Sequence, residues 1–214
     1  MARDLRKDLR LYLVTDRNLA RGRSELEIVR RAGAGGITAV QLRGKEMTSR
    51  ELYHTGLALR QLTADLGILF IVNDRLDIAL AVGADGVHLG QEDLPAAEAR
   101  RLAPDMLLGA TVGNAAQAVE AETAGVDYLG TDAVFPTATK TYERAPLGLE
   151  GLRLVCAATK LPVVAIGGIK AENAVQVLKA GAAGVAVVSG VVSAPDVTAA
   201  TCEFRRQIEG VLPW

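Results

Sequence analysis

An α/β fold closing as a parallel (β/α)8, or TIM, barrel is what this sequence predicts, and three observations predict it. Short apolar runs rich in branched residues alternate with longer Ala- and Leu-rich stretches of helical spacing. A weak internal repeat sets glycine ahead of successive strands, and the 214 residues match the size at which such a barrel closes as one unit. An open doubly wound sheet is the weaker alternative, because no G-x-G-x-x-G opens the first helix. No interior linker divides the chain, so we expect a single barrel domain over 1–214, with 1–10 as an N-terminal extension.

Eight strands are expected, at Leu11–Thr15, Ile37–Leu42, Ile68–Val72, Gly86–Leu89, Leu107–Thr111, Tyr128–Thr131, Val163–Ile166 and Gly184–Val188. Their continuous apolar character is that of parallel strands buried on both faces. Helix starts are marked by a hydroxyl three residues before a carboxylate at Ser24/Glu27 and Thr48/Glu51, the capping-box spacing, and by Asn114 with Gln117. Helix stops are marked by glycine in Ala32-Gly-Ala-Gly-Gly-Ile37, Val82-Gly-Ala-Asp-Gly-Val87, Ala124-Gly-Val-Asp-Tyr128 and Ala180-Gly-Ala-Ala-Gly-Val185. There a left-handed turn releases the helix into the next strand.

The formal net charge of -1 supplies no whole-chain field to hold nucleic acid, so anion recognition has to be local. Cys156 and Cys202 lie far apart without C-x-x-C spacing, which points to reduced, buried thiols in a cytoplasmic protein. The charged start, Met1 to Arg10, has no apolar signal region, and no run approaches the roughly 20 apolar residues that span a bilayer. Neither membrane nor nucleic acid is an expected partner.

A barrel brings the carboxyl ends of all its strands to one mouth, which sorts the candidate chemistry. Phe135-Pro-Thr-Ala-Thr-Lys140 leaves the sixth strand with Thr137, Thr139 and Lys140, three donors suited to a phosphate or diphosphate. After the second strand, Gln41, Arg43 and Lys45 occupy alternating positions that can face the mouth together; the alternative is a solvated strand end. Asn73-Asp74 ends the third strand and Gly90-Gln-Glu-Asp93 follows the fourth. Asp74 and Asp93 thus make a candidate Mg²⁺ pair, with Glu92 weaker and Asp77 assigned to a helix first turn. Asp93 has the competing role of an N-cap ahead of Leu94-Pro95. His88 is read as hydrogen-bonded inside the barrel and His54 as an ordinary helix residue. Thr111 offers a strand-end hydroxyl. Gly167-Gly168 and Val188-Ser189 end the last two strands, where barrels often cradle a phosphate on backbone N–H groups.

Gln41-x-Arg43-x-Lys45, Asn73-Asp74, Gly90-Gln-Glu-Asp93, Pro136-Thr-x-Thr-Lys140, Ile166-Gly-Gly-Ile169 and Val188-Ser189 together resemble the motifs of the thiamine phosphate synthase family, in order and over nearly the whole chain. The resemblance implies a transferase that joins a hydroxymethylpyrimidine, supplied as its diphosphate, to a thiazole phosphate, releasing diphosphate with Mg²⁺ as cofactor. It implies that Gln41, Arg43, Lys45, Asn73 and Lys140 hold the pyrimidine diphosphate, and that Asp74 and Asp93 hold the metal. Thr137, Thr139, Gly168, Val188 and Ser189 would then hold the thiazole phosphate, with Arg43 and Lys140 as the catalytic pair. Two departures stand out: Thr111 replaces the family's usual Ser, and Gly130-Thr-Asp-Ala133 lacks the usual Gly-Pro and brings in the Asp132 carboxylate. A related thiazole tautomerase and a phosphate-ligand binder without turnover are the alternatives. The first typically lacks Asn-Asp and carries a histidine where this chain has Gly113-Asn114. The connections Asp16–Arg23 and Asp132–Gly148 are expected to order on ligand binding.

Overall fold

The computed structural model describes residues 4–137 and 145–212. Eight parallel strands close in sequence order into a barrel. They are β1 (Leu11–Val14), β2 (Ala39–Leu42), β3 (Leu69–Asn73), β4 (Gly86–Leu89), β5 (Leu107–Val112), β6 (Tyr128–Ala133), β7 (Val163–Ile166) and β8 (Gly184–Val187). The helices are α1 (Leu5–Asp8), α2 (Glu25–Gly35), α3 (Ser49–Leu66), α4 (Leu76–Val82), α5 (Ala96–Leu102), α6 (Ala115–Thr123), α7 (Gly148–Ala157), α8 (Ala171–Lys179), α9 (Ser189–Val192) and α10 (Val197–Glu209). α10 packs between α8 and α2 and so closes the outer ring.

The expected punctuation is present. Thr48 and Glu51 form a complete capping box, and Ser24 and Asn114 accept from the N–H groups of Glu27 and Gln117. Gln117 departs from the reciprocal pattern by accepting from Gly113 N–H. Gly36, Gly83, Gly125 and Gly181 all take positive φ at the helix exits. β2 starts two residues later than expected, because the Ile37 N–H is held back by the Ala32 carbonyl in the helix-terminating turn. β6 runs to Ala133 through a register shift against β7 between Gly130 and Ala133, the kind of bulge that re-aims a strand end.

Two layers of core result. The larger lies between strands and helices, while Leu9, Tyr12, Val14, Ala39, Leu69, Ile71, Tyr128, Val164 and Ala186 fill the barrel interior. Leu9 ties the N-terminal segment into this interior. A Cβ on Gly184 would lie 1.9 Å from the Leu9 carbonyl oxygen, so the strand can pass that close only as glycine. Cys202 corrects an expectation: it is exposed, because α10 turns Val197, Thr201, Phe204 and Ile208 inward instead. Cys156 is half-buried, and burial pushes its thiol up to about 11. Among the described residues no helix is long and apolar enough to cross a membrane.

Candidate active site

A cavity of about 640 Å³ opens at the carboxyl ends of the strands. Gln41, Arg43, Asn73 and Thr111 line it from β2 to β5, and Thr137, Gly168, Val188 and Ser189 from β6 to β8. Lys45, Asp74 and Asp93 lie beside it. Lys45 lines a smaller pocket of about 170 Å³ with Arg43, Asp16 and Arg17, so the alternation that aims Gln41 and Arg43 into the mouth does not extend to Lys45. Thr139 and Lys140 fall outside the described residues.

Arg43 is held from three sides. Its Nη1 donates to Asp16 Oδ2 at 2.9 Å, its backbone N–H donates to Thr15 Oγ1 at 3.0 Å, and the Thr15 hydroxyl donates back to the Arg43 carbonyl at 3.4 Å. Asp16 also caps the 3-10 turn Arg17–Leu19 through the N–H groups of Asn18 and Leu19. One carboxylate therefore shapes the β1 connection and aims the guanidinium.

The two acidic candidates meet. Asp74 has φ +62°, a left-handed conformation that few residues other than glycine adopt, and its N–H donates to the His88 carbonyl at 2.8 Å. Lys45 Nζ lies 2.5 Å from Asp74 Oδ2. Asp93 does not cap α5, whose N-cap is Pro95; it accepts the Gly90 N–H at 2.6 Å. Burial, and next the Asp74 carboxyl, raise the Asp93 carboxyl above the usual range, against the pull of Gly90 N–H and Lys45. Two crowded carboxylates with one ammonium make a site that a cation relieves. Among the described residues no third His, Cys, Asp or Glu joins them, a donor set suited to Mg²⁺, which takes few protein carboxylates and fills its shell with phosphate and water. Asp77 sits in the first turn of α4 and Glu92 is exposed.

On the opposite side, Gly167 and Gly168 have φ +93° and +63°. A Cβ on Gly168 would lie 2.6 Å from the Pro136 carbonyl oxygen, and Phe135 N–H donates to the Gly167 carbonyl at 3.0 Å. These glycines thus let the β6 loop lie directly on the β7 turn and bring Thr137 to the cavity. Val188 leaves β8 and precedes the short helix begun by Ser189. Asp132 does not line the cavity, because the bulge in β6 turns it aside.

The floor of the mouth is a chain of polar side chains. Gln41 Nε2 donates to the Tyr12 hydroxyl at 3.0 Å, Tyr12 and Tyr128 hydroxyls meet at 3.0 Å, Tyr128 meets His88 Nδ1 at 3.1 Å, and His88 Nε2 meets Thr111 Oγ1 at 3.0 Å. Burial raises both phenols well above their ordinary range, so they remain protonated donors.

A family model described as thiamine monophosphate synthase matches residues 11–191. The chain belongs to that family. Among curated relatives, the thiamine-phosphate synthase of Moorella thermoacetica is 53% identical over 92% of this chain and 95% of its own, and that of Pyrococcus furiosus 51% identical over 98% and 99%. The solved thiamine phosphate pyrophosphorylase of Pyrococcus furiosus superimposes with a TM-score of 0.91 at 50% identity, covering 98% of this chain and 100% of that one. A 3-hexulose-6-phosphate synthase, at 19% identity and a TM-score of 0.72, shares the fold.

Membership in the thiamine monophosphate synthase family makes this chain a transferase, and it sharpens which features sequence reasoning missed. Tyr12 and Tyr128 are in none of the motifs read as binding substrate or metal. Their only signal is that they are the aromatic members of otherwise aliphatic strand starts, and alternation is hidden where both faces are buried. Asp16 looked like a loop residue. His88 is hydrogen-bonded as expected, and His54 meets Tyr53 edge-on along α3. Asn114 is committed to capping α6.

Proposed function

We propose that this protein is a thiamine phosphate synthase acting on small soluble substrates in the cytoplasm: it couples hydroxymethylpyrimidine diphosphate with thiazole phosphate to give thiamine phosphate and diphosphate. The observation that carries this reading is one cavity with an amide and a guanidinium on one wall and a Thr/Gly/Ser phosphate wall opposite, together with a carboxylate pair held beside the Lys45 ammonium. Gln41 and Asn73 address the pyrimidine, while Arg43 and Lys45 address its diphosphate. Thr137, Gly168, Val188 and Ser189 hold the thiazole phosphate. Thr139 joins that wall and Lys140 the diphosphate side by motif alone. Mg²⁺, held by Asp74 and Asp93, would supply positive charge to the diphosphate oxygens.

The bond to diphosphate breaks first, its electron pair leaving with the diphosphate, and the electron-rich aminopyrimidine stabilises the benzylic-type cation. The thiazole nitrogen then donates its lone pair to that carbon. No proton has to move, which suits a mouth whose one histidine is tied at both ring nitrogens. Arg43, steadied by Asp16, and Lys140 carry the growing charge on the leaving group. Incubating purified protein with both substrates, with and without Mg²⁺, tests the reading. Metal-dependent coupling is expected; isomerised thiazole alone indicates a tautomerase, and binding without product indicates a silent binder.

A further inference from the structure

The floor of the mouth joins five side chains in a line that crosses the barrel, and the chemistry of its members restricts how its protons run. With a neutral imidazole, and with the hydrogens of both buried phenols kept within the line, two arrangements satisfy every link. Either each member donates toward Thr111, or each donates toward Gln41. In the structure Gln41 places Nε2 against the Tyr12 hydroxyl. An amide nitrogen only donates. Tyr12 must therefore pass its own hydrogen to Tyr128 and Tyr128 to His88 Nδ1, so that His88 carries its proton on Nε2 and gives it to Thr111 Oγ1. The Thr111 hydroxyl is left to donate into the cavity it lines, toward an anion. At the other end, Gln41 keeps its Oε1 and second N–H, which form no hydrogen bond among the described residues, side by side as acceptor and donor.

We propose that Tyr12, Tyr128 and His88 are positioning residues that lock the Gln41 amide in one of its two flips, so that the site accepts a 4-aminopyrimidine edge and rejects the 4-oxo edge. This deepens, and rests on, the pyrimidine diphosphate reading. An aminopyrimidine offers an N–H beside a bare ring nitrogen, which an amide oxygen and N–H match in the way Gln or Asn reads adenine. The oxo ring offers the reverse pattern. To meet it Gln41 must flip, turning Oε1 to Tyr12, and the whole line must reverse until the Thr111 hydroxyl points at His88 and shows lone pairs to the anion. The two halves of the site are thereby coupled: an anion at Thr111 holds the amide in the aminopyrimidine-reading flip.

The space for the line is built into the fold. Register places Asn73, His88, Gly109 and Tyr128 at one level, and the absent side chain of Gly109 lets His88 and Tyr128 meet across β5. A Cβ there would lie 2.5 Å from His88 Nδ1 and 2.2 Å from Tyr128 Cζ.

The test compares kcat/KM for the 4-amino pyrimidine diphosphate and its 4-oxo counterpart in the full chain and in Tyr12→Phe and Tyr128→Phe, which keep the rings and remove the links. The intrinsic difference in reactivity between the two rings is the same in every variant and cancels in the ratio of ratios. Discrimination should fall roughly ten-fold or more in both variants, the scale of one bidentate amide contact. Discrimination unchanged in both would overturn the proposal, whereas a general loss of structure lowers both rates together. As a second measurement, ¹⁵N spectra of the wild-type protein with inorganic diphosphate should show His88 protonated at Nε2; protonation at Nδ1 overturns it, even where a Phe variant does not fold. A wild type that converts neither pyrimidine defeats the coupling reaction, and the tautomer still decides the direction of the line.

Discussion

Gly109→Ala puts a methyl group into a gap that the polar floor requires. The added carbon would stand 2.2 Å from Tyr128 Cζ and 2.5 Å from both the Tyr128 hydroxyl and His88 Nδ1. Carbon contacts settle near 3.5–4.0 Å, so the Tyr128 ring has to move by roughly 1 Å or more. Any such move strains the line, because Tyr128 is fully buried and its hydroxyl is shared with Tyr12 and His88 at 3.0 and 3.1 Å. Overpacking costs about 1–3 kcal/mol, and each buried polar group left without its partner adds about 1–3 kcal/mol. With one or two such links broken the total is about 2–9 kcal/mol, and at roughly 2–4 °C per kcal/mol for a chain of this size the midpoint falls by roughly 4–36 °C. Gly67→Ala is the control, since Gly67 has φ +66° but nothing within 4 Å of the added Cβ. It loses only the left-handed preference, about 1–2 kcal/mol. The assay is thermal unfolding of both variants beside coupling activity. A Gly109→Ala protein that melts within about 3 °C of wild type and keeps its kcat/KM refutes the reasoning, on the scale set by those costs.

Four other outcomes are expected. Mg²⁺ at about 100 times its Kd should stabilise the wild type by about 2.7 kcal/mol, and Asp74→Asn or Asp93→Asn should lose most of that thermal shift. Because burial and Asp74 raise the Asp93 carboxyl, it takes up a proton sooner than an ordinary carboxylate as pH falls, so Mg²⁺ titrations by calorimetry should show affinity weakening through that window. In metal-free protein the sign is opposite: the Asp93 contribution to stability is present below the usual carboxylate value of 3.8 and lost as pH rises through its raised value. Thr111→Ser should keep kcat/KM within a few-fold while Thr111→Val, which leaves His88 without its acceptor, loses about ten-fold or more, read in steady-state kinetics. Lys140→Ala should slow single-turnover product formation on the order of 10²-fold, and an unchanged rate removes Lys140 from the mechanism.

Much of the site was legible because a closed barrel turns strand ends into one rim. Gln41, Asn73 and Ser189 could be placed from the ends of their runs, since the apolar strand, the glycine stop and the cap each announce themselves locally. Lys45 shows the limit. Alternation aims it inward only while the chain remains extended, and beyond Leu42 it turns toward Asp74 instead. Asp16 shows another: its value lies in one guanidinium 27 residues away, which no local pattern marks.

The sequence by itself determined the order of strand and helix, the glycine exits, and the set of polar residues delivered to the mouth, all of which follow from periodicity and backbone preference within a few residues. Only the tertiary structure decided other partners: Arg43 with Asp16, Asp74 with Lys45, and Tyr12 with a tyrosine 116 residues later. The physical reason is that such pairs depend on the register between strands and on the gap left by Gly109. Both are properties of the closed sheet, which no single segment possesses.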